Sequence, residues 1–255
     1  MTSLTILVTR SLKHAITLWF ALTATAACAQ ADYAREQRWA EEIVPALLVG
    51  DAVRLASSGR TFLGIYAASR ASAPGVIIVH GRGMHPDWNL INVLRSQLAD
   101  QGYATLSIQM PVLAADAPTE RYATLFPEAA ERLAAAVRLL REKGHAQIAI
   151  VSHSLGARMA NHYLAHTPES QVSAWVAIGI LGGYASTERL KVPTLDIYGE
   201  RDWREVRDNA PARAEQLRRV RGSAQLDVPA ADHFFTGHEA VLVGHVKRFL
   251  DLRLK

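Results

Sequence analysis

The 255-residue chain contains a single cysteine, Cys28. One thiol cannot build a disulfide framework within the chain, and its place in a removable-looking N-terminal stretch argues against a catalytic thiol. Charge of one sign is also scarce. The formal net charge is +4, and Arg10 and Lys13 supply two of those charges from the first 31 residues, which hold no Asp or Glu. The rest carries 26 basic against 24 acidic residues, a balance that excludes the electrostatic footprint of nucleic-acid binding. Arg218, Arg219 and Arg221 form the tightest basic cluster, and they suit the end of a helix, where cations complement the dipole.

Several chemical signatures are missing. There is no phosphate-binding glycine loop ending in Lys-Ser/Thr, no His-Glu-x-x-His and no cysteine-rich metal set. His162 and His166 have the spacing of a helical metal pair, but no third ligand stands near them in sequence, so they read as polar surface residues. Repeats, low-complexity tracts and Pro/Gly/Ser linkers are absent, so residues 32–255 read as one domain.

Long apolar runs are absent too. Arg10, Lys13 and His14 precede an apolar stretch from Ala15 to Ala27, which threonines interrupt and which is short for a membrane span. Small-x-small sites follow at Ala27-Cys28-Ala29 and Ala29-Gln30-Ala31, and polar sequence starts at Asp32. This is the pattern of a signal peptide over residues 1–31, with an uncleaved anchor as the alternative. Thr25-Ala26-Ala27-Cys28 is a poor lipoprotein box, lacking a leucine three residues before the cysteine. The expectation is an exported protein, periplasmic or secreted, with lipidation at Cys28 the lesser case and peripheral envelope association open to it.

What the chain does have is core-forming material: 49% of its residues are hydrophobic and 20% charged. Strands are expected at residues 51–56 and 61–68, joined by a Ser58-Gly59 turn, and at 75–80, 103–110, 147–151, 172–180, 193–198 and 224–228. Helical stripes are expected over Leu90–Leu98, from Pro127 to Leu140, over about 154–165 and 212–220, and around Leu242, Val246, Phe249 and Leu250. Alternation of this kind implies an eight-stranded, mostly parallel sheet with helices on both faces, whose ligands sit at the carboxyl ends of the strands.

One segment carries chemistry in that position. Ile148-Ala149-Ile150-Val151-Ser152-His153-Ser154-Leu155-Gly156-Ala157 reads strand, then Ser-x-Ser-x-Gly, then helix. A turn this sharp requires small residues two places before and two after its centre, here Ser152 and Gly156, and it holds a nucleophile above the sheet at a helix N-terminus. On this motif the chain resembles the α/β-hydrolase superfamily, over nearly all of residues 45 to 255. Within that superfamily it resembles a compact exported bacterial branch of unassigned function. The departure is Ser152, where the usual elbow has glycine.

The resemblance implies an α/β-hydrolase fold and a Ser, acid, His order along the chain. Ser154 is then the nucleophile. Asp202, three residues past Gly199 in Leu195-Asp196-Ile197-Tyr198-Gly199-Glu200-Arg201-Asp202, is the acid, with Glu200 a rival and Asp196 structural within the strand. His233, in Asp232-His233-Phe234, is the base, with His238 the rival. The oxyanion donors are the backbone N–H groups of Leu155 and, in His80-Gly81-Arg82-Gly83, of Arg82 or its rival Gly83. His85, Asp87 and Trp88 are candidates to line the cleft. The implied activity is hydrolysis of an ester, thioester or amide through an acyl-enzyme, on a small or lipid-like acyl substrate, without metal or organic cofactor. The alternative is a non-catalytic binding or envelope-interaction protein on the same fold.

Only residues 181–191 separate the sixth strand from the seventh, too few for an inserted cap domain. Residues 111–126 carry Val112, Leu113, Tyr122, Leu125 and Phe126. They are expected either to fold over Ser154 as an apolar flap or to pack beneath a surface loop.

Overall fold

The computed structural model describes residues 31–70, 72–185 and 189–254. The expected signal peptide, Cys28 included, lies outside the described residues save for Ala31.

Eight strands form one sheet: β1 (Asp51–Ser57), β2 (Arg60–Ala67), β3 (Gly75–Val79), β4 (Ala104–Ile108), β5 (Ile148–His153), β6 (Ala174–Ile178), β7 (Thr194–Gly199) and β8 (Ala224–Val228). Their order across the sheet is β1-β2-β4-β3-β5-β6-β7-β8. β1 and β2 form the expected antiparallel hairpin, and β2 runs antiparallel to β4. Every other pairing is parallel. Among the described residues six α-helices accompany the sheet: α1 (Tyr33–Ile43), α2 (Asn89–Asp100), α3 (Phe126–Glu142), α4 (Leu155–His166), α5 (Arg204–Leu217) and α6 (Glu239–Arg253).

The continuous apolar runs of the central strands follow from burial on both faces. Along β3, Val76 and Ile78 face one layer while Ile77 and Val79 face the other, the period of two that the pleat imposes. On one side Leu133, Ala136 and Leu140 of α3 and Met159, Ala160 and Tyr163 of α4 join Ile77, Leu106, Ile150 and Trp175 in a core. On the other, Leu90, Leu94 and Leu98 of α2 and Leu242, Val246 and Leu250 of α6 pack on Ile78, Val151, Val176 and Ile197.

Two helices depart from the expected pattern. α1 carries only Ala40 and Ile43 as buried apolar residues, too few for a legible stripe. Those two pack on Leu63 and Ile65 of β2, and the helix is capped by Asp32, whose carboxylate accepts from Arg35 N, and tied to α3 by buried Glu36, which ion-pairs with Arg132 at 2.8 Å. α5 begins at Arg204, not near 212, and runs through Pro211. Pro211 is exposed, so solvent can serve the carbonyl that the ring leaves unbonded, and Arg213 anchors the helix to Asp196 of β7 at 2.8 Å.

β6 and β7 are joined directly by residues 179–193, with no helix or strand among the described residues there, so no cap domain is inserted. Residues 111–126 do not form an apolar flap. Val112, Leu113, Tyr122 and Leu125 are buried, the last two in a 3-10 stretch, and Leu113, Tyr122 and Leu125 join the core beside α3. The apolar side chains turn inward because only that side removes them from water. Tyr122→Ala is therefore expected to lower stability by about 3–5 kcal/mol, the cost of truncating a buried aromatic, while leaving any acyl chain-length preference unchanged. Denaturant melts beside an ester panel check this; a shifted chain-length profile at wild-type stability would restore the flap.

Candidate active site

The carboxyl ends of β5, β7 and β8 deliver three side chains to one place. Ser154 follows β5 directly and sits at φ 56°, ψ −123°, outside the comfortable regions for an L residue. The surroundings enforce this turn. Ser154 N donates to Ile178 O across the sheet at 2.8 Å, and a Cβ at Gly156 would stand 2.2 Å from the carbonyl oxygen of His80. Only glycine lets α4 start so close to the loop after β3. Ser152 fits the first small position: its hydroxyl is fully buried, accepts from Trp175 Nε1 at 2.8 Å and lies 3.2 Å from Val176 O.

His233 lies in the loop after β8. Its Nε2 is 3.0 Å from Ser154 Oγ and its Nδ1 is 2.6 Å from Asp202 Oδ1. A carboxylate only accepts, so Nδ1 carries the proton and Nε2 is free to accept from the serine hydroxyl. Asp202 Oδ1 also accepts from Trp203 N at 2.6 Å, which fixes the carboxylate. All three residues are buried, Ser154 at 3% exposure. Gly179, at φ +57°, passes beside the pair, and a Cβ there would come within 3.1 Å of the His233 ring.

A cleft of about 570 Å³ opens over Ser154. Arg82, Leu155 and Arg158 line it together with Trp203 and Phe234, and Thr119 and Glu120 are what residues 111–126 contribute. Leu155 is the first residue of α4, so its N–H has no partner within the helix.

The rivals stand elsewhere. His238 precedes α6, with Nδ1 bonded to Thr236 O. The carboxylate of Glu200 accepts from Ala230 N at 2.8 Å and so steadies the loop of His233. Asp196 is buried in its ion pair with Arg213. Asp87 pairs with Arg95, His85 packs against Trp39, and Trp88 packs against Phe234. His162 and His166 do share a face, ring centroids 4.2 Å apart, and among the described residues no third ligand joins them.

Three side chains here have no role of their own in the sequence reading, although His80 belongs to the oxyanion-loop motif. Trp203 stacks on His233 with centroids 3.6 Å apart and planes 16° apart, and remains 47% exposed to the cleft. His80 is buried; its Nε2 accepts from Met110 N at 2.9 Å, so its Nδ1–H donates to Gly81 O, tying the Arg82 loop to the end of β4. His153 is buried between the elbow and the loop of His233. Adjacency to Ser154 and Asp202 was the only sequence signal for His153 and Trp203.

Burial lowers the pKa of His80 to about 3 and that of His153 to about 4. Both histidines are neutral in the folded protein and take up protons on unfolding below the ordinary histidine value of 6.5. The unfolded state thus binds more protons, and stability falls as pH drops from 6.5 towards 4. Each group contributes up to about 1.4 kcal/mol per pH unit in that window. His153→Gln should flatten the slope of unfolding free energy against pH by one proton. An unchanged slope would mean that the ring is already charged in the folded state.

The comparisons agree with this architecture. The structure resembles a dienelactone hydrolase from Anabaena variabilis (TM-score 0.65, 21% identity, 80% of this chain and 97% of the other). It also resembles an esterase from Pyrococcus furiosus (TM-score 0.66, 17% identity, 80% and 91%). A third neighbour is an α/β serine hydrolase homologue from Coxiella burnetii (TM-score 0.63, 15% identity, 80% and 99%). The fold is that of the α/β hydrolases. A search of curated proteins finds no match. A family model described as "Protein of unknown function (DUF3530)" matches residues 12–131 and 127–251, and the chain belongs to that family.

Proposed function

We propose that this protein is an exported serine hydrolase that cleaves an ester, thioester or amide through an acyl-enzyme. The observation that carries the reading is the hydrogen-bonded line from Ser154 Oγ through His233 to Asp202, at 3.0 and 2.6 Å, beneath an open cleft. Ser154 attacks the substrate carbonyl while Nε2 of His233 takes its proton. Asp202 keeps the imidazole in the tautomer that can accept it and stabilises the imidazolium. The N–H groups of Leu155 and Arg82 receive the developing oxyanion, helped by the dipole of α4. Protonated His233 then gives its proton to the leaving group, and a water activated by the same ring releases the acid.

The substrate class is a small or lipid-like acyl compound. The cleft lacks a cap domain and holds both apolar groups, Trp203, Phe234 and Leu181, and charged ones, Arg82, Arg158, Glu120 and Glu205. That the structural neighbours include proteins named as esterases supports this class by analogy of fold.

A fluorophosphonate probe tests the chemistry, because only an activated serine reacts. Stoichiometric labelling at Ser154 is expected, and its absence in folded protein would favour a binding role. Export has its own test: the mature chain should begin near Gln30 or Asp32 by intact mass. In support, α1 and its Asp32 cap start just beyond the expected cleavage sites. A diacylglycerol on Cys28 would make the protein a lipoprotein instead.

A further inference from the structure

We propose that His153 is a positioning residue, whose Nε2–H holds the loop of His233 against the nucleophile elbow through the backbone carbonyl of His233. The inference rests on the hydrolase reading above. His153 ends β5, is completely buried, and places Nε2 2.9 Å from His233 O. A carbonyl accepts only, so Nε2 must carry the proton. Nδ1 then bears a buried lone pair with no hydrogen-bond partner among the described residues. The ring therefore has one polar task in this structure, and that task is the bond to the His233 backbone.

The loop needs such a tether. Two of its non-glycine residues, Ala230 at φ 59° and Phe235 at φ 55°, occupy the left-handed region. An L residue there costs about 1–2 kcal/mol, so tertiary contacts must select the conformation. Glu200 accepts from Ala230 N at one end, the Asp232 carboxylate accepts from Phe234 N and Thr236 N at the other, and His153 grips the residue between. Because His153 is covalently next to Ser154, the tether ties the base to the nucleophile's own neighbour. Errors in the distance between Ser154 and His233 cannot build up through the long chain that separates them. Trp203 covers a face of the imidazole and limits its tilt, but its side chain makes no hydrogen bond to the His233 backbone.

Three variants of the full chain test the idea: His153→Gln, His153→Asn and His153→Leu. The amide nitrogen of glutamine reaches about where imidazole Nε2 stands, whereas that of asparagine ends near Nδ1. The readouts are kcat and KM on p-nitrophenyl acetate, the rate of fluorophosphonate labelling of Ser154, and the melting temperature. Small misplacements of a catalytic group cost about a hundredfold, so Asn and Leu should lower kcat and labelling roughly 10- to 100-fold with KM within about threefold. Glutamine should retain activity within about fivefold, because it restores the donor. If glutamine is no better than asparagine at equal folded fraction, or if all three match wild type, the proposal is overturned. Should leucine fail to fold, the glutamine–asparagine comparison decides alone. A wild-type protein that does not label at all fails the hydrolase reading itself; a wild type that labels, with unaffected variants, fails only the role of His153.

Discussion

On the proposed hydrolase reading, Ser154→Ala is expected to leave a folded protein whose hydrolysis of acyl esters falls by about four to six orders of magnitude, since triad members act as a unit. The fold is spared because alanine keeps the Cβ, and the backbone strain at φ 56° is much the same for either residue. Among the described residues the hydroxyl makes one side-chain hydrogen bond, to His233 Nε2, so its loss leaves no new buried polar group on the serine side. The loss should fall on kcat, with KM nearly unchanged, because the hydroxyl acts in the bond-making step and not in holding the substrate. Rates of the purified variant beside its circular dichroism decide the matter. A folded variant with retained activity would remove Ser154 from the chemistry.

Asp202→Asn should lower kcat by about four orders of magnitude without unfolding the protein, by favouring the wrong imidazole tautomer. Asparagine removes the charge that stabilises the imidazolium, and an amide NH₂ turned towards His233 Nδ1, at the expense of the bond from Trp203 N, makes that nitrogen an acceptor. Nε2 then carries the proton and can no longer receive one from Ser154. Asp196→Asn makes the contrast. Asp196 and Arg213 are both fully buried, and Arg213 Nε and Gln225 Nε2 both donate to Asp196 Oδ2. Neutralising one partner strands a buried guanidinium, which costs about 3–5 kcal/mol of stability. The turnover of the fraction still folded should remain near that of wild type. Glu200→Gln should do little to either, since a side-chain amide oxygen can still accept from Ala230 N. Denaturant melts and single-temperature kinetics on the three variants separate these roles. A larger kcat loss in Asp196→Asn than in Asp202→Asn would reassign the acid.

Local patterns made much of this protein readable before its structure. The strand-turn-helix order at the elbow is written in contiguous residues, so Ser152, Ser154 and Gly156 declare it through size and spacing. The central strands are buried on both faces and appear as unbroken apolar runs, the more exposed β1 and β2 are marked by the turn between them, and all eight strands can be placed to within a few residues of their ends. The superfamily resemblance points to Asp202 and His233 as acid and base, in the loops after β7 and β8.

Contact between those residues is another matter. Asp202 is 31 positions from His233 and Ser154 is 79, and no periodicity encodes the 2.6 and 3.0 Å separations between their side chains. The parallel sheet sets them, by aligning the carboxyl ends of β5 to β8 on one edge. The same holds for α1, whose ties to the fold are a buried ion pair to a residue 96 positions away and an apolar contact with β2. It holds for residues 111–126, where composition left two facings open and packing against α3 selected the inward one. His153 and Trp203 are the sharpest cases, because each stands beside a candidate triad residue and carries no motif of its own. Sequence alone determined the eight strands, the helices with a legible apolar stripe and which residue types reach the carboxyl edge of the sheet, because those are questions of local periodicity and turn size. Which side chains meet there, and which way each ring faces, was decided by the tertiary structure, because those contacts join segments that only close packing brings together.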